Sequence, residues 1–119
     1  MRKLGFCMGL SLAFLTTVPA FAGSIMPTIT GGDVNNGKAL FTLCITCHQV
    51  NGEGNESLGA PKISGQHDWY LTRQLKNFKA GIRGTHASDT NGARMRSMAM
   101  SLANDQAIDD VVAYIMTLK

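Results

Sequence analysis

The chain has 119 residues, of which 45% are hydrophobic and 16% charged, with three cysteines and a formal net charge of +3. This composition is typical of one small globular domain, and it excludes a multidomain protein, a disordered tail and a basic nucleic-acid-binding module. After residue 22 no segment approaches the ~20 apolar residues that a membrane-spanning helix needs. The sequence therefore predicts no nucleic-acid partner and no integral membrane segment in the mature chain.

The N-terminus has the pattern of a secretory signal peptide. Arg2 and Lys3 precede an apolar run over residues 4–18, and residues 20–22 form an Ala-Phe-Ala cleavage site. A basic start, an apolar run and a small-x-small site together direct export and cleavage. We therefore expect residues 1–22 to be removed and the mature protein to be periplasmic.

The remaining chain divides into a lead-in and one domain. Residues 23–32 contain one proline and three glycines without hydrophobic periodicity, which predicts a flexible segment. The domain at 33–119 is small enough to have a thin core, and its cysteines, Cys44 and Cys47, are too close together to stabilise the fold as a long-loop disulfide would. We therefore expect a cofactor to contribute to stability.

Apolar spacing predicts an all-α domain of about four short helices. Three- and four-residue intervals place side chains on one helical face, and no segment alternates apolar and polar residues as a strand does. The predicted helices are one from Asp33 with a face that reaches His48, one over 68–80 that stops at Gly81, one over 94–102, and one that begins at Asn104 or Asp105. Polar, glycine-containing loops are expected at 51–65 and 82–92.

The run from Cys44 to His48 reads C-x-x-C-H, which is the attachment signature of c-type haem. Residues i, i+3 and i+4 share a helix face, so both thiols can add to the haem vinyl groups while the imidazole reaches the iron. We therefore predict one covalent haem c with His48 as the proximal ligand. The second ring nitrogen of His48 is then free to donate a hydrogen bond that orients the ring.

Other uses of the two cysteines are less consistent with the chain. A thioredoxin-like site needs a βαβ pattern, which the sequence lacks. A zinc site needs a further ligand, and His67 and His86 are not at metal-site spacing. A disulfide between Cys44 and Cys47 closes too small a loop to stabilise much.

The second axial ligand must come from far along the chain. Met26 lies in the lead-in and Met116 within the last helix, so neither suits the role. Met95, Met98 and Met100 form a dense group beyond the second helix. Periodicity alone does not choose among these three thioethers.

Two further runs narrow the interpretation. Residues 61–66 read Pro-Lys-x-x-Gly-Gln, and residues 70–78 read Tyr-Leu-x-x-Gln-Leu-x-x-Phe. Together with C-x-x-C-H, they resemble class I c-type cytochromes, in particular a single domain of the dihaem cytochromes c-four and their small monohaem relatives. The similarity extends over nearly the whole mature chain.

This resemblance implies roles for particular residues. It makes Cys44 and Cys47 the thioether sites, His48 the proximal ligand and Met95 the distal ligand. It also implies that the Pro61 carbonyl accepts the second imidazole hydrogen bond.

Further implications concern the helix packing and the haem edge. The first and last helices should cross where Gly37 permits close approach and Phe41 meets Tyr114. Three side chains are candidates for contacts near the haem propionates: Tyr70, Gln74 and Arg83.

The chain departs from its relatives at one place. Between Leu102 and Ile108 it has one residue more, and Ala103 stands where a capping Ser or Thr is common. Counting back from Ile108 would place the ligand at Arg96, which cannot bind iron, so we expect the turn to absorb this shift. Met95 is favoured over Met98 as the ligand.

A haem with both axial positions occupied is suited to one-electron transfer with other redox proteins. Residues 62–96 carry seven basic and two acidic side chains, net +5, which would orient docking on an acidic partner. The alternatives are a fixed electron-transfer subunit of a periplasmic dehydrogenase or a membrane-bound oxidase complex, and a haem sensor or enzyme with a labile distal methionine. The prediction from sequence is an exported electron carrier without a catalytic site.

Overall fold

The computed structural model describes residues 31–119, so the predicted signal peptide and most of the predicted lead-in lie outside the described residues. These residues form five α-helices, which are α1 (Val34–Phe41), α2 (Ile45–His48), α3 (Asp68–Lys79), α4 (Thr90–Met100) and α5 (Asp105–Ile115), and one 3-10 turn (Glu56–Leu58). They contain no strand, only an isolated bridge between Asn55 and Ala60. The all-α prediction is confirmed.

The first predicted helix is in fact two helices. After Phe41 the chain makes a tight turn, in which the Leu43 N–H donates to the Leu40 carbonyl at 3.2 Å and the Cys44 N–H to the Phe41 carbonyl at 2.8 Å. These i→i−3 bonds belong to a 3-10 turn rather than an α-helix. Apolar residues keep similar spacing through such a turn, so periodicity could not locate the break.

The other boundaries follow the capping residues. α4 begins at Thr90, four residues before the predicted start, because the Asp89 carboxylate accepts from the Gly92 N–H at 2.8 Å. Gly81, with a φ of +72°, follows α3 as predicted. Asn104 caps α5 by accepting from the Ala107 N–H at 2.9 Å, which is one of the two predicted starts.

The core lies where α1 crosses α5. A Cβ atom on Gly37 would lie 1.9 Å from the Asp110 backbone oxygen, so only glycine allows this approach. The Phe41 and Tyr114 rings meet at a centroid distance of 5.2 Å. Both contacts implied by the resemblance are therefore present. The buried core comprises Phe41, Leu71, Leu102, Ala107, Ile108, Val111, Val112 and Ile115.

A buried carboxylate ties the start of α1 to α5. Asp110 is only 3% exposed. It accepts from the Asp33 N–H at 2.8 Å, from Asn36 Nδ2 at 2.6 Å and from Gln106 Nε2 at 2.8 Å. These bonds, with the one from Asn36 the strongest, hold the pKa of Asp110 below its ordinary value.

The turn between α4 and α5 contains the segment in which one extra residue was predicted. Leu102 is buried in this turn, and Ile108 is buried in α5. Asn104 supplies the capping oxygen that Ala103 lacks. Both apolar side chains therefore remain in the core. Among residues 31–119, no helix combines the length and the apolar character needed to cross a membrane.

Candidate cofactor site

A cavity of about 290 Å³ lies among α2, α3, α4 and the loops that join them. All eight residues predicted for the site line it, although they come from distant parts of the chain. They are Cys44, Cys47, His48, Pro61, Tyr70, Gln74, Arg83 and Met95. The fold thus brings the whole predicted set to one place.

His48 lies at the end of α2 and is only 7% exposed. Its Nδ1 is 2.8 Å from the Pro61 carbonyl oxygen. Because a carbonyl only accepts, Nδ1 carries the proton and donates, which leaves the lone pair of Nε2 available for a metal. The hydrogen bond implied by the resemblance is present.

The loop after α2 holds Pro61 in this position. The Gly52 carbonyl accepts from the Ile63 N–H at 2.8 Å, and the Gly54 N–H donates to the His48 carbonyl at 3.0 Å. Gly54 has a φ of +84°, and a Cβ atom there would lie 2.6 Å from the Pro61 carbonyl carbon. Glycine is therefore needed at this position for both conformational and steric reasons.

Cys44 and Cys47 are half-buried free thiols on the cavity wall. Burial, with a smaller effect from Cys47, raises the pKa of Cys44 to about 11. A neutral thiol at physiological pH is the opposite of the activated thiolate in a thioredoxin-like site.

The zinc alternative also lacks support in the described part of the chain, where no group of three or more His, Cys, Asp or Glu side chains is placed to hold a metal ion. His67 stacks on Trp69, with ring centroids 5.9 Å apart, and His86 Nδ1 lies 2.9 Å from Ser88 Oγ. Neither histidine lines the cavity.

Two thioethers of α4 line the cavity. Met95 is half-buried, whereas Met98 is 36% exposed. Met100 is 52% exposed and does not line the cavity, nor does Met116. The three methionines left open by periodicity are therefore reduced to two.

Polar groups from α3 and the following loop form part of the rim. Arg83 Nη1 donates to Gln74 Oε1 at 2.5 Å, and its guanidinium carbon lies 4.5 Å from the centre of the Phe78 ring. Tyr70 lines the cavity one helical turn before Gln74. These contacts hold a cation and an amide where they can meet carboxylates of a bound group.

Some lining residues were not predicted from the sequence. Leu58, Asn91 and Arg94 lie on the cavity wall, in a loop and in the first turns of α4. A local signal was Asp89, a capping residue type that directly precedes the observed start of α4.

The site suits a flat, mostly apolar macrocycle with carboxylate groups. The two thiols and the imidazole line the cavity, and α4 contributes the thioethers of Met95 and Met98 to the lining. Aliphatic and aromatic side chains supply much of the rest, including Leu40, Ile63, Leu71, Leu75, Phe78 and Leu102. This donor set fits haem c, in which sulfur atoms bind the porphyrin and the imidazole binds the iron.

The family model for cytochrome c matches residues 34–119. Cytochrome c4 of Azotobacter vinelandii is 34% identical over 116 residues, covering 87% of this chain and 53% of that protein. Cytochrome c4 of Stutzerimonas stutzeri is 37% identical over 100 residues, covering 84% and 44%. A protein named thiosulfate dehydrogenase electron acceptor, from Thiomonas intermedia, is 36% identical over 76 residues, covering 64% and 31%.

The chain spans about half the length of the cytochrome c4 relatives that it matches. The family match covers every described helix and the complete C-x-x-C-H run. The chain therefore belongs to the cytochrome c family, as a relative of the cytochrome c4 proteins, and its cofactor is one covalently bound c-type haem with iron.

Proposed function

We propose that this protein is an exported one-electron carrier whose haem iron has His48 and Met95 as axial ligands. The observation that carries the proposal is that a buried imidazole, oriented by the Pro61 carbonyl, lines the same cavity as a half-buried thioether. If both residues bind the iron, no position would be open for a substrate. The useful chemistry of the bound group is then a one-electron change.

Met95 is preferred to Met98 because of its burial. Met98 is 36% exposed, whereas Met95 is half-buried on the cavity wall. A weak thioether ligand competes best where water is excluded.

The residues around the cavity have distinct roles in this proposal. Cys44 and Cys47 would hold the haem through thioether bonds, and His48 would bind the iron through Nε2. Met95 would favour the reduced iron and so raise the reduction potential relative to a second imidazole. Arg83 and Gln74 would bind the carboxylates at the edge.

The partners proposed are redox proteins with acidic docking surfaces. Residues 62–96 carry a net charge of +5, and Lys62, Arg83 and Arg94 line the cavity. The name of the Thiomonas relative associates that protein with a dehydrogenase. A periplasmic dehydrogenase is therefore a reasonable class of donor. The N-terminal signal-peptide pattern supports export.

The first test is absorption spectroscopy of protein matured with haem. We expect a low-spin spectrum, a thioether-to-ferric-iron charge-transfer band after oxidation, and only a slow change when carbon monoxide is added to the ferrous protein. Rapid carbon monoxide binding by the wild type would contradict closed axial ligation and favour a sensor or enzyme.

Paired variants test the ligand assignment. Met95→Ala should abolish the charge-transfer band and lower the reduction potential, whereas Met98→Ala should keep the band. Loss of the band in Met98→Ala alone would overturn the assignment.

Salt dependence tests the proposal that the protein docks transiently on acidic redox partners. The rate of reaction with an acidic redox partner should fall as salt is added, because screening weakens attraction between exposed charges. Stable co-purification with a larger complex would instead identify a fixed subunit.

A further inference from the structure

We propose that Arg94 is a positioning residue for Met95, because it ties α4 to the loop that carries Pro61 and so links the two sides of the haem site. The inference rests on the proposed function, in which Met95 is the distal ligand. It assigns a role to a side chain that the sequence did not single out.

The central contact is a hydrogen bond between parts of the chain that are far apart in sequence. Arg94 Nη1 donates to the Leu58 carbonyl oxygen at 3.3 Å, across 36 residues. Both residues line the cavity, and Arg94 directly precedes Met95 in α4. This hydrogen bond therefore restrains the turn of α4 that carries the Met95 side chain.

A second contact joins the same two segments. Gly59 has a φ of +65°, and a Cβ atom there would lie 2.2 Å from Asn91 Nδ2. The Asn91 side chain thus rests against the loop backbone, one helical turn before Arg94. Two side chains on successive turns of α4 contact the loop at adjacent residues.

The loop that contains Leu58, Gly59 and Pro61 is itself held by backbone hydrogen bonds. Asn55 and Ala60 exchange backbone hydrogen bonds of 2.8 and 2.9 Å, which close the loop around the 3-10 turn. Pro61 follows Ala60 directly, and its carbonyl accepts from His48 Nδ1. The residue that orients the proximal imidazole and the residue that contacts α4 therefore belong to one closed loop.

The contact between Arg94 and Leu58 should affect how fast the Met95 thioether dissociates from the haem. In this proposal, release of Met95 from the haem would be accompanied by movement of its part of α4 relative to the loop, and this movement would strain the Arg94–Leu58 bond. A typical hydrogen bond contributes about 1 kcal/mol, which corresponds to about fivefold in an equilibrium constant. Arg94 should therefore slow thioether dissociation by about that factor.

The test compares carbon monoxide binding to the ferrous haem protein in four variants. At saturating carbon monoxide, thioether dissociation limits the rate. We expect Arg94→Ala to bind about fivefold faster than wild type, and Arg94→Lys, which keeps a donor, to be intermediate. Arg73→Ala is the matched control, since Arg73 is exposed on α3, lies over the Trp69 ring and does not line the cavity. Its rate should equal that of the wild type.

Gly59→Ala provides an independent variant, because the added methyl group displaces Asn91 without removing a charge. It should also accelerate binding. The proposal is overturned if Arg94→Ala and Gly59→Ala both bind at the rate of Arg73→Ala, or if Arg94→Lys is as fast as Arg94→Ala. A wild type that lacks the charge-transfer band would instead overturn the ligation on which the inference rests, so the two failures are distinguishable.

Discussion

The crossing of α1 and α5 and the walls of the haem cavity are stabilised in different ways. At the crossing, Phe41, Ile108 and Val112 are each at most 1% exposed. Around the cavity, Leu43, Leu58 and Met98 line the wall but are 45%, 38% and 36% exposed. The crossing is filled by the protein's own side chains, whereas part of the cavity wall is exposed apolar surface that a cofactor would cover.

The polar contacts of the two regions differ in the same way. At the crossing, a buried Asp110 receives three hydrogen bonds from two helices and the segment before α1. At the cavity, exposed side chains such as Arg94 and Arg83 make individual bonds. We infer that the crossing is the stable part of the apoprotein and that the cavity side depends on haem.

Removing haem attachment should produce the largest effect. The double variant Cys44→Ala/Cys47→Ala should contain no covalent haem, because no sulfur remains to add to the vinyl groups. Without haem, hydrogen exchange should be fast at α4 amides and slower at α5 amides near Val112. Mass spectrometry and exchange measurements test both points, and equal protection of α4 and α5 would show that the two regions do not differ as proposed.

The second largest effect is expected from a substitution at the crossing of α1 and α5. Gly37→Ala places a methyl group 1.9 Å from the Asp110 backbone oxygen, so the helices must move apart. We expect a loss of about 3 kcal/mol in the free energy of unfolding, measured with urea. Gly31→Ala is the control, because its Cβ would meet nothing within 4 Å. Similar losses in both variants would be inconsistent with close packing at Gly37.

Asp110→Asn should have a smaller, pH-dependent effect. The folded-state pKa of Asp110 is lowered, so its stabilisation is present above the unfolded-state value of about 4 and is lost as the pH falls through the folded-state value. The variant should therefore be less stable than wild type at pH 7, with a smaller difference at pH 3. Unfolding at both pH values tests this.

The neighbouring variant Asp109→Asn serves as its control, since it removes the same charge but none of the three bonds to Asp110. A stability difference for Asp110→Asn that stays constant between pH 7 and pH 3 would argue against the ionised carboxylate as the cause.

The smallest effect is expected at the surface ion pair between α3 and α5. Lys76 Nζ lies 2.9 Å from Asp105 Oδ2, and the two side chains are 46% and 73% exposed. Lys76→Gln should cost about 0.5 kcal/mol or less, because exposed pairs are hydrated and screened. Added salt should remove the difference. A larger cost that persists in high salt would mean that this contact supports α3 by more than charge attraction.

Several features were predictable because they depend on neighbouring residues. The α3 and α5 boundaries follow local signals such as Gly81 and the Asn104 cap. The break between α1 and α2 was missed because a 3-10 turn preserves the apolar spacing. The start of α4 was placed too late because its first turn has few apolar residues and begins at a polar cap.

What the sequence by itself determined is the haem attachment run, the all-α character and the family, since these depend on residue identity and on short, regular spacing. Tertiary structure decided which methionines reach the cavity and that Arg94 meets Leu58, because these residues approach only when the helices pack. It also explained Gly37, because only a residue without a side chain lets α1 approach α5 this closely. Short-range patterns specify the elements, whereas the site depends on contacts between residues tens of positions apart.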